Sequence, residues 1–335
     1  MVKPKALSLG DTVGIIAPSD AVDRDDMQKS LEIIKSWGLK VKTGKHVYAK
    51  IGDFMAGTAE ERMEDLRAMI ADPEVKAVWS ATGGYAATEV LPVFDKATIA
   101  GLAREPKLFI GYSDVCLILN ALTSFRMTNI MGPTVWGLYE WDEESQGVVR
   151  KMLLGEKVAG VGADKKWQAE IDGTAEGRIV ASNLEGLVFS FGTRFDPLMY
   201  GTGPVILVLE ELDIEKSTLQ RQIDVILEHK RASRIAGVIV GRLTNIRELS
   251  YPEWGKDVTP QGLIEARVKK WGKGKIPLAF CDDFGHAEWD YEDISEEEKT
   301  RANRKFLAIP SGIRAKLTVA KEGCSLEYLE EVCEI

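Results

Sequence analysis

A short apolar strand runs directly into an apolar helix in the stretch Lys107-Leu-Phe-Ile-Gly-Tyr-Ser-Asp-Val-Cys-Leu-Ile-Leu119. Residues 108–110 predict a buried strand, and a helix is expected from Asp114 onward. Ser113 lies at the corner, where unpaired N–H groups of the first helical turn and the helix dipole favour an oxyanion. This position suits a nucleophile. The alternative is that Ser113 is only an N-cap, because Val115 stands where the complete Gly-x-Ser-x-Gly elbow has its last glycine.

Strands and helices alternate on the N-terminal side of this corner. The pattern predicts strands at 12–17, 39–41 and 76–80 and helices at 27–37 and from 58 to about 71. Such alternation is typical of a parallel sheet covered by helices. Ligands bind beyond the carboxyl ends of the strands in these sheets. Gly83-Gly84 and Ser113 both follow strand ends, so we expect their loops to face one crevice.

The character of the chain changes near residue 150. We predict an α/β domain over 1–150 that carries the nucleophile, a polar connector over 151–175, and a β-rich domain over 176–335. The expected fold class is therefore α/β, with an N-terminal parallel-sheet domain and a second, β-rich C-terminal domain. Strands of the second domain are expected at 177–182, 204–210, 235–241 and 276–280, and residues 314–320 alternate like the edge strand of a hairpin.

Composition restricts the partners of the protein. Its 335 residues carry a formal net charge of −9, which argues against a nucleic-acid backbone or an anionic membrane as a partner. No apolar run reaches membrane-span length, and no signal peptide is recognisable, so a cytoplasmic location is expected. The four cysteines are scattered and predict neither a zinc site nor a disulfide framework. Cys116 is expected to be a packed thiol.

A nucleophilic serine needs a base, and the sequence has three histidines. His46 and His229 are predicted to be surface or structural residues, the latter at a helix C-terminus. His286 follows a buried strand and Gly285, where loops commonly present catalytic side chains. Next to it, Asp282 and Asp283 give only a weak indication of a metal site.

A triad also needs a carboxylate that orients the histidine. Glu210 and Glu211 end the strand over 204–210, and neighbouring strand residues point to opposite faces. Only one of the two is therefore expected to face the crevice. The alternative is that both cap the strand at the surface.

Taken in order, these elements resemble the LD-carboxypeptidase family of serine peptidases, which includes muropeptide LD-carboxypeptidases and microcin-immunity peptidases. The segments that carry the resemblance span nearly the whole chain: Gly14-Ile-Ile-Ala-Pro-Ser19, Gly83-Gly84-Tyr85, Gly111-Tyr-Ser-Asp114, Gly132-Pro133, Ser182-Asn-Leu184, Leu209-Glu210, Ile276-Pro277 and Gly285-His286. The resemblance implies a triad of Ser113, Glu210 and His286. It also implies an N-terminal α/β domain, a β-rich C-terminal domain and a homodimer.

The expected reaction is acyl transfer without a metal or cofactor. His286 removes the Ser113 proton, Glu210 stabilises the imidazolium, and the oxyanion is held by the Asp114 amide and one from Gly83-Gly84. Tyr85 and Trp136 are expected to contact the substrate, and Tyr139 and Trp141 either share this role or are ordinary half-buried aromatics.

The leading substrate is a murein tetrapeptide that loses its terminal D-Ala. A peptidyl- or aminoacyl-nucleotide, as in the microcin-immunity branch, is the alternative. A non-catalytic module that binds a small ligand and an inactive homologue also remain open.

Two departures from the family pattern bear on the substrate. Ala86 and Glu89 stand where the muropeptide branch usually has glycine and arginine, so Glu89 reverses a charge that is expected near the substrate. A charged stretch over 288–305 is longer than in the family and is expected to be a solvated loop or helix.

Overall fold

The computed structural model describes residues 1–52, 54–162, 167–248, 258–287 and 304–335. Its strands are β1 (Thr12–Ile16), β2 (Lys40–Thr43), β3 (Val75–Ser80), β4 (Leu108–Gly111), β5 (Asn129–Met131), β6 (Gly160–Val161), β7 (Gln168–Ile171), β8 (Gly173–Asn183), β9 (Val205–Leu212), β10 (Ile235–Thr244), β11 (Leu278–Phe280), β12 (Ile309–Ser311), β13 (Arg314–Ala320) and β14 (Gly323–Tyr328). Its α-helices are α1 (Arg24–Ser36), α2 (Ala59–Ala71), α3 (Lys96–Arg104), α4 (Cys116–Ser124), α5 (Glu143–Leu153), α6 (Leu184–Ser190), α7 (Lys216–Leu227) and α8 (Pro260–Trp271).

The first sheet has the strand order β12-β5-β4-β3-β1-β2. Strands β1 to β5 are mutually parallel, which confirms the predicted parallel sheet. The strand β12 comes from the C-terminal part of the chain and pairs antiparallel with β5. Because β1, β3 and β4 point the same way, the loops that follow them meet at one edge of the sheet. This edge carries the candidate site.

The second sheet has the order β6-β14-β13-β8-β9-β10-β11-β7. Its centre, from β8 to β11, is parallel, and antiparallel strands flank it. The helices α6, α7 and α8 build an apolar core with the strands, which includes Leu187, Leu219, Ile223 and Ile264. The predicted second domain with its strands is therefore present, with a parallel centre.

The prediction that residues 314–320 form an edge strand is wrong. The strand β13 pairs with β8 on one side and with β14 on the other. The edge beyond β14 is taken by β6, and β7 closes the opposite end of the sheet beside β11. Both β6 and β7 lie within residues 151–175, the predicted connector. Short polar segments can form edge strands, so this stretch contributes to the sheet as well as linking its parts.

Three further expectations concern the domain division, the charged stretch over 288–305 and membrane-spanning helices. The helix α5 (Glu143–Leu153) extends past residue 150, and the division into 1–150, 151–175 and 176–335 stays a prediction. Of the charged stretch over 288–305, residues 288–303 lie outside the described part, while Lys305 forms an ion pair with Glu144. Among the helices that the structure describes, none is both long and apolar enough to cross a membrane.

Candidate active site

Ser113 lies at the turn between β4 and α4, as predicted. It begins a single 3₁₀ turn over Ser113–Val115, and its backbone has a φ of +62°. A residue other than glycine seldom adopts this left-handed conformation, which costs about 1–2 kcal/mol. Gly111 makes the sharp turn possible, because a Cβ there would lie 2.7 Å from Val115 Cγ1. The strain is typical of a serine that is presented to a ligand.

The side chain of Asp114 joins three loops at this edge of the sheet. Its carboxylate accepts a 2.6 Å hydrogen bond from Ser19 Oγ and a 2.8 Å bond from the Ala87 amide. The Ser19 hydroxyl accepts a 2.8 Å bond from the Ala86 amide. Burial raises the pKa of Asp114, although these hydrogen bonds oppose the shift. The sequence predicted a role for the backbone amide of Asp114 and missed the role of its side chain.

Gly83 and Gly84 let the loop after β3 approach both Ser113 and Asp20. A Cβ on Gly83 would lie 2.7 Å from Ser113 Cβ, 2.8 Å from its Oγ and 3.7 Å from the Asp114 amide nitrogen. A Cβ on Gly84 would lie 2.0 Å from Asp20 Oδ1. The loop is fixed further by the Asp20 amide, which donates to the Gly83 carbonyl at 3.0 Å. A second backbone segment therefore borders the Ser113 hydroxyl, as an oxyanion hole requires.

We expect Gly83→Ala to lower kcat about 100-fold, because the added methyl displaces the Ser113 hydroxyl by part of an ångström. The backbone of Gly83 is not left-handed, so the variant folds. The measurement is steady-state hydrolysis together with thermal unfolding. Gly101→Ala is the matched control, since a Cβ there meets no atom within 4 Å. Equal kcat values for the two variants would contradict the assigned contact.

Glu210 and His286 form a buried pair. The Nδ1 atom of His286 lies 2.7 Å from Glu210 Oε2, and the His286 amide donates to the same oxygen at 3.2 Å. Gly285 permits this contact, because its φ is +99° and a Cβ there would lie 2.8 Å from Glu210 Cβ. Thr244 Oγ1 donates to the His286 carbonyl at 2.6 Å. The imidazole is thus oriented through its Nδ1 side.

The pKa of Glu210 reflects two opposing influences. Burial raises it, but the charge of His286 and the hydrogen bonds from its ring and amide outweigh burial and hold the pKa below its usual value. Glu210 therefore stays ionised beside the imidazole, which is the charge state that stabilises an imidazolium.

One pocket of about 240 Å³ brings the predicted residues together. Ser113 and His286 both line it, and the Tyr112 ring, next to Ser113 in sequence, lies 4.7 Å from the His286 ring. Glu210 lies behind His286 and is fully buried. Of the remaining predicted contacts, the pocket is lined by Gly83, Gly84, Tyr85, Asp114 and Trp136.

Several further pocket residues were missing from the predicted site, and four of them are polar or aromatic side chains of interest: Asp20, Asn183, Glu185 and Phe189. The sequence contained a usable signal for Asp20, because it follows β1 as Gly83 follows β3 and Ser113 follows β4. Parallel strands place the loops after their carboxyl ends at the same edge. The other three belong to the end of β8 and to α6, and only packing between the sheets reveals them.

Glu210 and Glu211 point to opposite faces of β9, as expected, but the alternative that both cap the strand at the surface is wrong. Both side chains are buried. Glu211 points to the opposite side of β9, where it accepts 2.9 Å bonds from Asn183 Nδ2 and the Glu185 amide. A second layer of structure, the start of α6, covers this side. Burial and the charge of Glu210 raise the pKa of Glu211 to about 7.

This raised pKa predicts a pH-dependent stability. The ordinary pKa of the group is 4.5, so the folded chain binds the proton more tightly than the unfolded chain. The free energy of unfolding therefore falls as the pH rises from about 4.5 to about 7, by on the order of 3 kcal/mol. Urea unfolding of the wild type and Glu211→Gln between pH 5 and pH 8 measures this term. We expect a shallower profile for the variant, and parallel profiles would contradict the prediction.

The predicted aromatic contacts separate into two groups. Trp136 lines the pocket and is 38% exposed. Trp141 is buried and packs edge-on against Phe306 with ring centroids 5.1 Å apart. The ring of Tyr139 lies under Lys29 Nζ, 4.7 Å from it. Trp136 alone of the predicted trio lines the described pocket, and the other two fit the alternative of ordinary packed aromatics.

The other histidines and Cys116 have structural roles, as predicted. His46 Nδ1 lies 3.1 Å from Asp65, and His229 Nε2 lies 3.0 Å from Asp196. Cys116 is fully buried, accepts a 3.2 Å bond from the Asn183 amide, and has a pKa raised by burial.

The weak metal indication near His286 gains no support. Asp283 accepts a 2.7 Å hydrogen bond from the indole of Trp167. Within the described ranges, no group of three or more His, Cys, Asp or Glu side chains is placed to hold a metal ion.

The charge reversal at Glu89 does not reach the pocket. Glu89 forms an ion pair with Arg62, whose guanidinium also donates to the Gly57 carbonyl. Ala86 contributes its backbone amide to Ser19. Neither residue belongs to the lining of the described pocket.

An α/β chain with a strained serine, a buried Glu–His pair and an adjoining glycine loop has groups of the kind that hydrolases use. Residues 13–132 match the LD-carboxypeptidase N-terminal domain, and residues 176–291 match the LD-carboxypeptidase C-terminal domain. The chain belongs to the LD-carboxypeptidase family.

Named relatives agree with this assignment. A probable murein peptide carboxypeptidase of Bacillus subtilis is 30% identical over 242 residues, which cover 71% of this chain and 74% of the relative. The murein tetrapeptide carboxypeptidase of Pseudomonas aeruginosa is 28% identical, with 70% of this chain and 76% of the relative covered. The structure of MccF in complex with glutamyl sulfamoyl guanosine has a TM-score of 0.79 at 17% identity, with both chains covered completely. That structure shows a shared fold.

Proposed function

We propose that this protein is a serine carboxypeptidase that removes the terminal D-Ala from a murein tetrapeptide. The observation that carries the proposal is the buried Glu210–His286 pair, with a 2.7 Å contact, at a pocket that also contains Ser113. The murein peptide carboxypeptidases among the relatives support the substrate class.

The proposed reaction begins with Ser113 as the nucleophile. His286 takes the hydroxyl proton as the Ser113 Oγ attacks the carbonyl carbon before D-Ala, and Glu210 stabilises the imidazolium that forms. The amides of Asp114 and the Gly83-Gly84 loop receive the oxyanion. The imidazolium then gives its proton to the departing amine of D-Ala, which leaves an acyl-enzyme ester on Ser113.

The second half of the reaction consumes a water molecule. His286 removes a proton from water, the hydroxide attacks the ester, and the Ser113 oxygen leaves with the proton from His286. The products are the tripeptide and free D-Ala. The Ser113 hydroxyl, His286, water and the departing amine account for every proton that is transferred in these steps.

A hydrolysis assay read by mass spectrometry tests the proposal. The wild-type chain receives a murein tetrapeptide and, separately, aspartyl sulfamoyl-adenosine. Loss of D-Ala from the tetrapeptide is the expected result. Cleavage of the nucleotide conjugate alone would move the protein to the microcin-immunity branch, and ligand binding without hydrolysis of either compound would favour the non-catalytic module.

A further inference from the structure

A second pocket lies apart from the one beside Ser113. Its volume is about 430 Å³, and among the residues that the structure describes it shares none of its lining with the Ser113 pocket. The wall is built by the turn after α4, by β8, by the start of β9 and by the loop over 200–204. The volume is typical of sites that hold small organic molecules.

Positive charge is concentrated in this second pocket. Three arginines line it, and no carboxylate occurs in the lining that the structure describes. They are Arg126 after α4, Arg178 on β8 and Arg234 just before β10. The whole chain has a formal net charge of −9, so the sign of the charge here is opposite to the average of the chain. Guanidinium groups that converge on a cavity without acidic partners favour an anionic ligand.

Arg234 is oriented by neutral acceptors. Its Nε donates to the Gly203 carbonyl at 2.8 Å, and its Nη1 donates to the carbonyls of Leu198 and Tyr200 at 2.5 and 2.9 Å. Carbonyl oxygens fix the guanidinium but do not neutralise its charge. Burial and the charge of Arg231 lower the pKa of Arg234. A fixed guanidinium of this kind suits the geometry of a phosphate group.

Arg178 is only partly neutralised. Its Nη1 donates to the Gly312 carbonyl and to Glu330 Oε1, each at 2.8 Å. Glu330 also pairs with Lys3, whose Nζ lies 3.0 Å from Oε2. One carboxylate therefore serves two cations, and this group keeps a net positive charge at the wall of the pocket.

Arg126 occupies a position that usually takes glycine. It follows the C-terminus of α4 with a φ of +65°, the left-handed conformation in which many helices end and for which glycine is preferred. Its side chain is exposed, and within the described ranges its guanidinium has no ion-pair partner. Its charge is therefore open to a ligand in the pocket.

The loop over 200–204 adds backbone donors to the arginines. The amides of Gly201, Thr202 and Gly203 donate to no backbone carbonyl in the described part of the chain. Gly201 has a φ of +84°, and a Cβ there would lie 3.4 Å from Arg234 Nη2. The loop backbone and this guanidinium are thus neighbours. Glycine-rich loops with free amides bind phosphate oxygens in many proteins.

We propose that this pocket binds the phosphate group of a small organic molecule. The three arginines and the loop amides hold the phosphate oxygens, and the organic part packs against Tyr200, which is 43% exposed and lines the pocket with Pro197. The inference does not depend on the proposed function, because the Ser113 pocket takes no part in it.

Calorimetry on the wild-type chain at low salt tests the ligand class. The probes are phenyl phosphate, inorganic phosphate, benzoate and benzyl alcohol. We expect phenyl phosphate to bind with a Kd of about 1 mM or less, inorganic phosphate and benzoate to bind about tenfold more weakly, and benzyl alcohol not to bind. Phenyl phosphate is also expected to raise the Tm, because it binds the folded chain.

Two variants locate the binding in this pocket. Arg126→Gly is expected to weaken phenyl phosphate binding about tenfold while its Tm stays equal or rises, since glycine adopts the positive φ freely. Thr202→Glu, at an exposed position of the loop, is expected to weaken binding at least as much, because it adds a like charge. Lys273→Gly is the matched control: it removes an exposed cation with a φ of +52° after α8, outside the described pocket lining, and is expected to keep the wild-type affinity.

Several outcomes would overturn the inference. These are absence of phenyl phosphate binding, benzoate or benzyl alcohol binding as tightly as phenyl phosphate, unchanged affinity in both Arg126→Gly and Thr202→Glu, and an equal loss of affinity in Lys273→Gly. Inorganic phosphate binding as tightly as phenyl phosphate would reject the organic ligand. Release of D-Ala is not among these readouts, so failure of this inference and failure of the proposed function are distinguishable.

Discussion

Ser113→Ala is expected to reduce kcat for D-Ala release by about 10⁴-fold to 10⁶-fold, since loss of a serine nucleophile removes the covalent route. The remaining rate over water comes from the oxyanion donors and substrate binding. The change removes one hydroxyl from a turn whose φ is +62°, so the fold is retained. Hydrolysis by the variant is measured by mass spectrometry at enzyme concentrations high enough to detect the residual rate.

Ser113→Gly is the matched control for the backbone strain. Glycine adopts a positive φ at no steric cost. The free energy of unfolding of Ser113→Gly is therefore expected to be about 1 kcal/mol larger than that of Ser113→Ala. Both variants are expected to be equally inactive. Activity of Ser113→Ala within tenfold of the wild type would mean that another group is the nucleophile.

Glu210→Gln is expected to lower kcat by about 10⁴-fold. The amide has the shape of the carboxylate but no charge, so it neither stabilises the imidazolium nor fixes the tautomer in which His286 Nδ1 carries the proton. The Nδ1–Oε2 contact of 2.7 Å in a fully buried position makes the effect large. Single-turnover and steady-state hydrolysis at several pH values measure it.

Glu211→Gln is the matched control for this variant. It changes the neighbouring buried carboxylate on the same strand, whose hydrogen bonds go to Asn183 and Glu185. We expect less than about a tenfold loss of kcat. If both variants lost activity equally, the effect would come from disturbance of β9, and the assignment of Glu210 as the partner of His286 would fail.

The buried Glu211 shows where sequence reasoning stopped. Alternation along a strand separates two neighbouring side chains onto opposite faces, and the structure agrees for Glu210 and Glu211. The alternation pattern does not show whether the second face of the strand meets water or another layer of the protein. Helix α6 covers that face, and its first turn supplies the amide of Glu185 that makes burial of Glu211 possible.

The side chain of Asp114 is a second case in which the sequence could not predict the contacts of a residue. Its place beside Ser113 follows from the strand-to-helix corner, which is a local pattern. Its hydrogen bonds to Ser19 and Ala87 join residues 95 and 27 positions away. Such contacts depend on which loops meet at the sheet edge, and no periodicity in the chain records them.

The alternation of strands and helices, the parallel first sheet and the corner that carries Ser113 can be predicted from the amino-acid sequence, because they follow from hydrophobic spacing and glycine placement over short distances. The sequence also places Gly83-Gly84 and His286 after strands. Only packing in three dimensions shows that β13 is an inner strand, that Trp141 is buried while Trp136 faces the pocket, and that Asn183, Glu185 and Phe189 line this pocket. Each of these depends on packing between segments far apart in the chain, where contact geometry and desolvation, rather than local pattern, select the arrangement.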